Sequence, residues 1–130
     1  MNKDEALSLI NRWALLADQK DAAGQVALFA PDFENSTLMP DGTTTTFTSA
    51  ADLQAGITEA LSAFPKTFHM NGQTEILGNH ATSYCIAHHF KSDGGVLVMY
   101  IRYEDDFVEV ADELKFAKRV LYIEQIEERS

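Results

Sequence analysis

Four histidines, one cysteine and a carboxylate closing an apolar helix are the groups in this 130-residue chain best suited to moving protons. His69 follows Phe68, while His88 and His89 are adjacent and close a segment, Ala81 to Phe90, whose two strand faces differ sharply. Strand side chains alternate, so Ala81, Ser83, Cys85, Ala87 and His89 share one face and Thr82, Tyr84, Ile86, His88 and Phe90 the other. The first face is small until it ends in an imidazole. A face built only for a core would be filled to crystal-like density, so this strand is expected to floor a pocket with His89 at its edge. An imidazole titrates near neutrality and suits proton transfer at cellular pH.

Asp18 stands at the end of a helix that is apolar over most of its circumference. It is either an exposed helix-end residue beside Lys20 or a pocket carboxylate partnered by an imidazole. His69 shares strand parity with Asn71, Gln73 and Glu75, and that polar face is either solvated or the lining of a pocket. Cys85 is a possible nucleophile, although a lone buried thiol is more often a small hydrophobe. His80 lies in a turn with no supporting pattern and reads as ordinary surface. The three strand histidines could supply imidazoles to a metal, but no His-x-x-Glu-His spacing and no cysteine pair is present. No metal and no cofactor is therefore expected. Tyr84, Tyr100, Tyr103 and Tyr122 read as core residues with satisfied hydroxyls.

The elements that must position these groups are legible in the periodicity. Ala6, Leu9, Ile10, Trp13, Leu16 and Ala17 recur at helical spacing and predict a first helix from Asp4 to about Gln19, capped by Asp4 or Asn2. A shorter helix is expected from about Asp21 to Phe29, stopped by Pro31. The stretch Asp32 to Thr48 carries a Pro40-Asp41-Gly42 turn signal and predicts two short strands. Ser49 offers an N-cap for a third helix, Ala50 to Ala63, ended by Pro65. Thr67 to Leu77, Ala81 to Lys91, Val96 to Val110 and Leu114 to Glu127 are rich in β-branched and aromatic residues and separated by turns too short for parallel crossovers. They predict an antiparallel meander, and the whole order predicts one α+β domain with helices packed on one face of the sheet.

This order is similar to the nuclear-transport-factor-2-like (NTF2-like) fold, a cone of strongly curved, mainly antiparallel sheet with three N-terminal helices. Three stretches resemble its SnoaL-like branch, which includes polyketide cyclases and is related to scytalone dehydratase and ketosteroid isomerase. The first runs from Trp13 through Asp18 to Asp21 and into Phe29-Ala30-Pro31-Asp32. The second is Thr67-Phe68-His69-Met70-Asn71-Gly72. The third is Tyr84 to His89, followed by Arg102 to Asp105 and Lys115 to Arg119. Two features depart from the pattern. Glu113-Leu114 stands where family members often carry Gly-Trp, and the second pocket histidine of scytalone dehydratase falls nearer Cys85 than His89.

The resemblance implies cofactor-independent general acid–base catalysis on a hydrophobic cyclic or polyketide-like molecule, by cyclisation, dehydration or isomerisation. Asp18, His69 and His89 would carry the chemistry, and Trp13, Leu16, Phe68, Cys85 and Met99 would wall the substrate. The alternative is a non-catalytic ligand-binding module or an assembly subunit like those of aromatic-ring dioxygenases, because fold alone does not establish function.

Composition narrows the partners. A net charge of −10 opposes binding to nucleic acid or anionic membranes. The single cysteine excludes an intrachain disulfide. Asp4 and Glu5 come too early for a signal peptide, and no apolar run approaches a membrane span, so a cytoplasmic protein is expected. Tyr84, Ile86 and Phe90 would leave an apolar patch on the outer strand face, which predicts a homodimer joined sheet to sheet.

Overall fold

The computed structural model describes residues 1–130. Helix α1 spans Lys3–Asp18, with Asn2 as its N-cap accepting from the backbone N–H groups of Asp4 and Glu5. Helix α2 is a single turn, Ala22–Val26, capped by Asp21 on Gly24 N at 2.8 Å. Strand β1 (Phe29–Leu38), strand β2 (Thr44–Phe47) and helix α3 (Ala50–Ser62, capped by Ser49) follow. The remaining strands are β3 (Lys66–Leu77), β4 (His80–Phe90), β5 (Val96–Val110) and β6 (Glu113–Arg129).

All six strands form one open sheet in the order β2-β1-β6-β5-β4-β3. The meander from β3 to β6 is antiparallel as expected, whereas β1 runs parallel to β6, so the sheet is mixed. The expected second helix is shortened. Phe29 and Ala30 are buried and already belong to β1, and Pro31 sits where the β1–β6 register shifts between Phe29 and Glu34. A bulge tolerates proline because no ladder N–H is required there.

Curvature has local causes. Register shifts occur in β3 between Asn71 and Thr74, and in β6 at Glu124, opposite Tyr100 and Ile101, and at Ala117, opposite Asp106 and Phe107. Each shift adds twist and bends the sheet. The β3 shift also resolves the parity problem at His69. Thr67, His69 and Asn71 pair with His89, Ala87 and Cys85 on the inner face, after which Thr74 and Ile76 take the inward positions and Gln73 and Glu75 point outward.

Helix α1 lies against β3, burying Ile10, Trp13, Leu16 and Ala17. An aromatic cluster of Trp13, Phe29, Phe33, Phe107 and Phe116 lies in the hydrophobic core, with contacting ring centroids 4.9–5.8 Å apart. Within it, Arg119 and Asp105 are both fully buried, with Nε and Oδ1 3.0 Å apart. The contact is an ion pair without an aligned hydrogen bond. The guanidinium stacks instead on Tyr103 at 3.8 Å, Phe116 at 4.7 Å and Trp13 at 4.9 Å. No helix is long and apolar enough to cross a membrane.

Candidate functional site

The site is assembled by α1 and β3. Asp18 is the last residue of α1, and its carboxylate reaches past the helix end onto β3. A carboxylate at a helix C-terminus is disfavoured by the macrodipole; here three donors hold it. Thr67 Oγ1 donates to Asp18 Oδ1 at 3.0 Å, and the His69 backbone N–H donates to both carboxylate oxygens at 3.1–3.2 Å. The third donor is the His69 ring, with Nδ1 2.7 Å from Oδ1. An ionised carboxylate only accepts, so Nδ1 carries the proton of the neutral ring and Nε2 is left with its lone pair. The His69 side chain is only 8% exposed, against 25% for Asp18.

His89 stands opposite Thr67 on β4, its ring centroid 5.8 Å from that of His69. Its Nδ1 lies 3.1 Å from the Leu97 carbonyl, which can only accept, so this ring too presents Nε2 as an acceptor. Burial holds the His89 ring below the ordinary imidazole pKa, and Phe64 packs on it at 4.9 Å. Phe64 is in turn pinned through its carbonyl by Lys20 Nζ at 2.6 Å.

Both imidazoles line a cavity of about 440 Å³ between the sheet, α1 and α3. Its walls are mostly apolar, including Trp13, Phe47, Leu61, Met99 and Ile123. This size and lining suit a small organic molecule. Asp18 sits behind His69, outside the lining.

The structure thus brings Asp18, His69 and His89 into one neighbourhood and puts Trp13 and Met99 on the cavity. Three expected wall residues fall elsewhere. Phe68 adjoins His69 in a strand, so alternation turns it outward, where it is 48% exposed. Leu16 packs within the core and is absent from the lining. Cys85 is 1% exposed on the inner face, and burial pushes its thiol up to about 11, away from thiolate chemistry.

Two cavity residues had no sequence reading. Gln25, the one amide in the small, apolar stretch Ala22 to Leu28, lines the cavity from α2, and Asn35 lines it from β1. His80 is more than ordinary surface: Nδ1 contacts Asp106 at 2.7 Å and Nε2 contacts Glu104 at 2.8 Å, and those two carboxylates hold it above the usual imidazole pKa. It belongs to an outer-face network with Thr82, Arg102 and Glu124, away from the cavity. No group of three or more His, Cys, Asp or Glu side chains is arranged to hold a metal ion.

A family model described as SnoaL-like domain matches residues 2–120. No curated protein matches the chain by sequence. Solved structures share the fold at low identity. A candidate scytalone dehydratase from Novosphingobium aromaticivorans DSM 12444 aligns with a TM-score of 0.77 and 19% identity, covering 97% of this chain and 91% of that one. A hexachlorocyclohexane dehydrochlorinase, LinA type 2, aligns at 0.78 and 10% identity, over 98% and 88%. The β subunit of a candidate aromatic-ring-hydroxylating dioxygenase, also from Novosphingobium aromaticivorans DSM 12444, aligns at 0.76 and 14% identity, over 95% and 90%.

Proposed function

Because the chain belongs to the SnoaL-like domain family, we propose that it is a cofactor-independent enzyme that takes a proton from carbon in a hydrophobic cyclic substrate. The observation that carries this reading is the Asp18–His69 pair, which leaves His69 Nε2 as the free basic atom of a ring lining an apolar cavity. Cyclisation, isomerisation and elimination all begin with such a step, and the two dehydrating or dehydrohalogenating structural relatives are named for eliminations.

His69 Nε2 accepts the proton from a carbon next to a carbonyl or leaving group, and the C–H electron pair passes onto the carbonyl oxygen as an enolate or expels the leaving group. The ring becomes imidazolium, and Asp18 at 2.7 Å stabilises the new charge while fixing the ring's orientation. Neutral His89 offers Nε2 as a second acceptor, able to orient a substrate hydroxyl or take a proton in a later step. The apolar walls keep water away and strengthen both effects.

A direct test uses a cyclic ketone with activated protons, 2-tetralone, incubated in deuterated buffer. Proton NMR is expected to show loss of the C1 and C3 signals faster with protein than without it. Exchange at the buffer rate would count against the general-base reading.

The same reading includes a homodimer and a cytoplasmic setting. The outer sheet face exposes Phe68, Met70, Tyr84 and Ile86 at 41–60%, around a shallow groove of about 580 Å³. Light scattering is expected to give twice the 14.5 kDa chain mass, and Ile86→Lys is expected to return it toward one chain. A single-chain mass for the unaltered protein at micromolar concentration would refute the dimer.

A further inference from the structure

One short turn sends a side chain toward each imidazole. Helix α1 ends in a Schellman cap, in which the Lys20 N–H donates to the Ala17 carbonyl at 3.0 Å and the Asp21 N–H to the Leu16 carbonyl at 2.9 Å. The cap fixes Asp18 and Lys20 relative to each other. Asp18, inside the helix, reaches the His69 ring. Lys20, two residues on, donates through Nζ to the Phe64 carbonyl at 2.6 Å, and the Phe64 ring centroid lies 4.9 Å from that of His89.

Lysine is an unusual residue for this backbone. The φ of Lys20 is +58°, the left-handed conformation that such a cap requires and that glycine ordinarily fills. A side chain is strained there, and strain of this kind beside a site points to a use for the side chain. The use is visible at the far end of the bond. Pro65 ends α3, so the Phe64 carbonyl has no further helical turn to supply an N–H, and no basic residue stands in the last turn of α3. Lys20 supplies both the donor and the positive charge that this helix end favours. The tie matters for α3 because that helix leans on α2 and on the edge strand β2, while the cavity separates it from the middle of the sheet.

We propose that Lys20 is a positioning residue of the cavity: by holding the Phe64 carbonyl it keeps the Phe64 ring seated on His89 and so shields that imidazole from water. The inference rests on the cavity being the reaction site, with His89 as its neutral second acceptor. One turn then serves both rings, Asp18 setting which nitrogen of His69 carries the proton and Lys20 keeping His89 covered. Burial is what holds the His89 ring neutral, so a ring opened to water takes up a proton more readily. An imidazolium there has no acceptor to offer and repels the imidazolium that forms on His69. Lys20 reaches the chemistry only through Phe64, since it stands outside the cavity lining.

The test is NMR of the full chain across pH, reading Overhauser cross-peaks between the Phe64 and His89 rings together with the titration midpoint of His89. Lys20→Gly removes the side chain and accepts the left-handed backbone without strain. It is expected to lose the cross-peaks and to shift the His89 midpoint upward, toward the ordinary imidazole value. Lys20→Met keeps a side chain but no donor and is expected to do the same. Lys20→Arg can still donate to the carbonyl and is expected to retain both cross-peaks and midpoint. His69 with Asp18 behind it, Glu59 of α3 and Tyr103 of β5 are the other titratable groups on or behind the cavity, and all of them stay unaltered in these variants. Cross-peaks that survive in either Lys20→Gly or Lys20→Met overturn the proposal even where the midpoint rises, since the rise would then reflect the loss of a nearby cation alone. Lost cross-peaks with an unmoved midpoint overturn it as well, because the Phe64 ring would not be what keeps water from His89. No substrate is added, so failure here is separable from failure of the exchange test.

Discussion

Replacing His69 with alanine is expected to abolish protein-dependent exchange of 2-tetralone, a loss of about a hundred- to ten-thousand-fold, the usual contribution of a positioned general base. No other group can substitute for it in place. The nearest candidate, His89, has its own ring held by Leu97, centred 5.8 Å away. Asp18→Asn keeps the shape of the pair and is expected to lose about a hundredfold. An asparagine presenting its amide N–H to Nδ1 favours the tautomer with the proton on Nε2, where the lone pair is needed. It also removes the negative charge that stabilises imidazolium. A neutral side chain relieves the unfavourable carboxylate at the end of α1 and keeps one oxygen for the Thr67 and His69 N–H donors, which offsets part of the charge-assisted bonding lost, so the Asp18→Asn protein is expected to unfold in urea within about 1 kcal/mol of the unaltered chain. Loss of activity with retained stability separates a catalytic carboxylate from a structural one. An Asp18→Asn protein that unfolds earlier, with exchange activity proportional to its folded fraction, would assign Asp18 to the fold instead.

The second large effect concerns the ion pair under the cavity. Asp105→Leu strands Arg119 in the aromatic cluster, and a guanidinium cannot shed its charge. Breaking a buried pair in this way is expected to cost about 3–5 kcal/mol in urea unfolding. Arg119→Met is expected to cost less, because burial already pushes the Asp105 carboxyl up to about 6 and the orphaned acid can take a proton. The sign follows from linkage: a folded-state pKa above the unfolded one favours folding at low pH, and that advantage fades as pH rises through the folded value. Arg119→Met should therefore be more stable at pH 5 than at pH 8. The double variant, Asp105→Leu with Arg119→Met, is expected to recover most of the loss from Asp105→Leu. Equal costs for the two single variants at every pH would mean that the pair contributes packing and not charge.

The fold was legible because its signals are local and repeated. The alternation of small and bulky residues along β4 located the inner face, and the structure buries Ala81, Ser83, Cys85, Ala87 and His89 together. Ser49 caps α3 as expected, and the expected end at Ala63 lies one residue past Ser62. What escaped depends on register and on contacts distant in sequence. Parity along β3 suggested a continuous polar face through Glu75, but the shift between Asn71 and Thr74 changes sides midway, and nothing in Asn71-Gly72-Gln73-Thr74 requires a bulge at that step. Phe68 was expected on the substrate wall although it adjoins His69, an expectation that strand alternation alone argues against. His80 became a bridged cation only because β5 brings Glu104 and Asp106 to it across the sheet. Gln25 and Asn35 carried no motif, since which amides reach a cavity wall is a property of packing.

The proposed proton transfer turns on the state of one ring, and nitrogen-15 NMR of the histidine side chains observes it directly. In the neutral form, His69 is expected to carry its proton on Nδ1, with the strongly deshielded proton signal of a short bond to a carboxylate, and Nε2 as the bare nitrogen whose shift moves when 2-tetralone is added. Asp18→Asn should abolish the deshielded signal. A His69 ring protonated on Nε2, or an Nε2 shift indifferent to a ligand that binds the cavity, would contradict the assignment of His69 as the cavity's base.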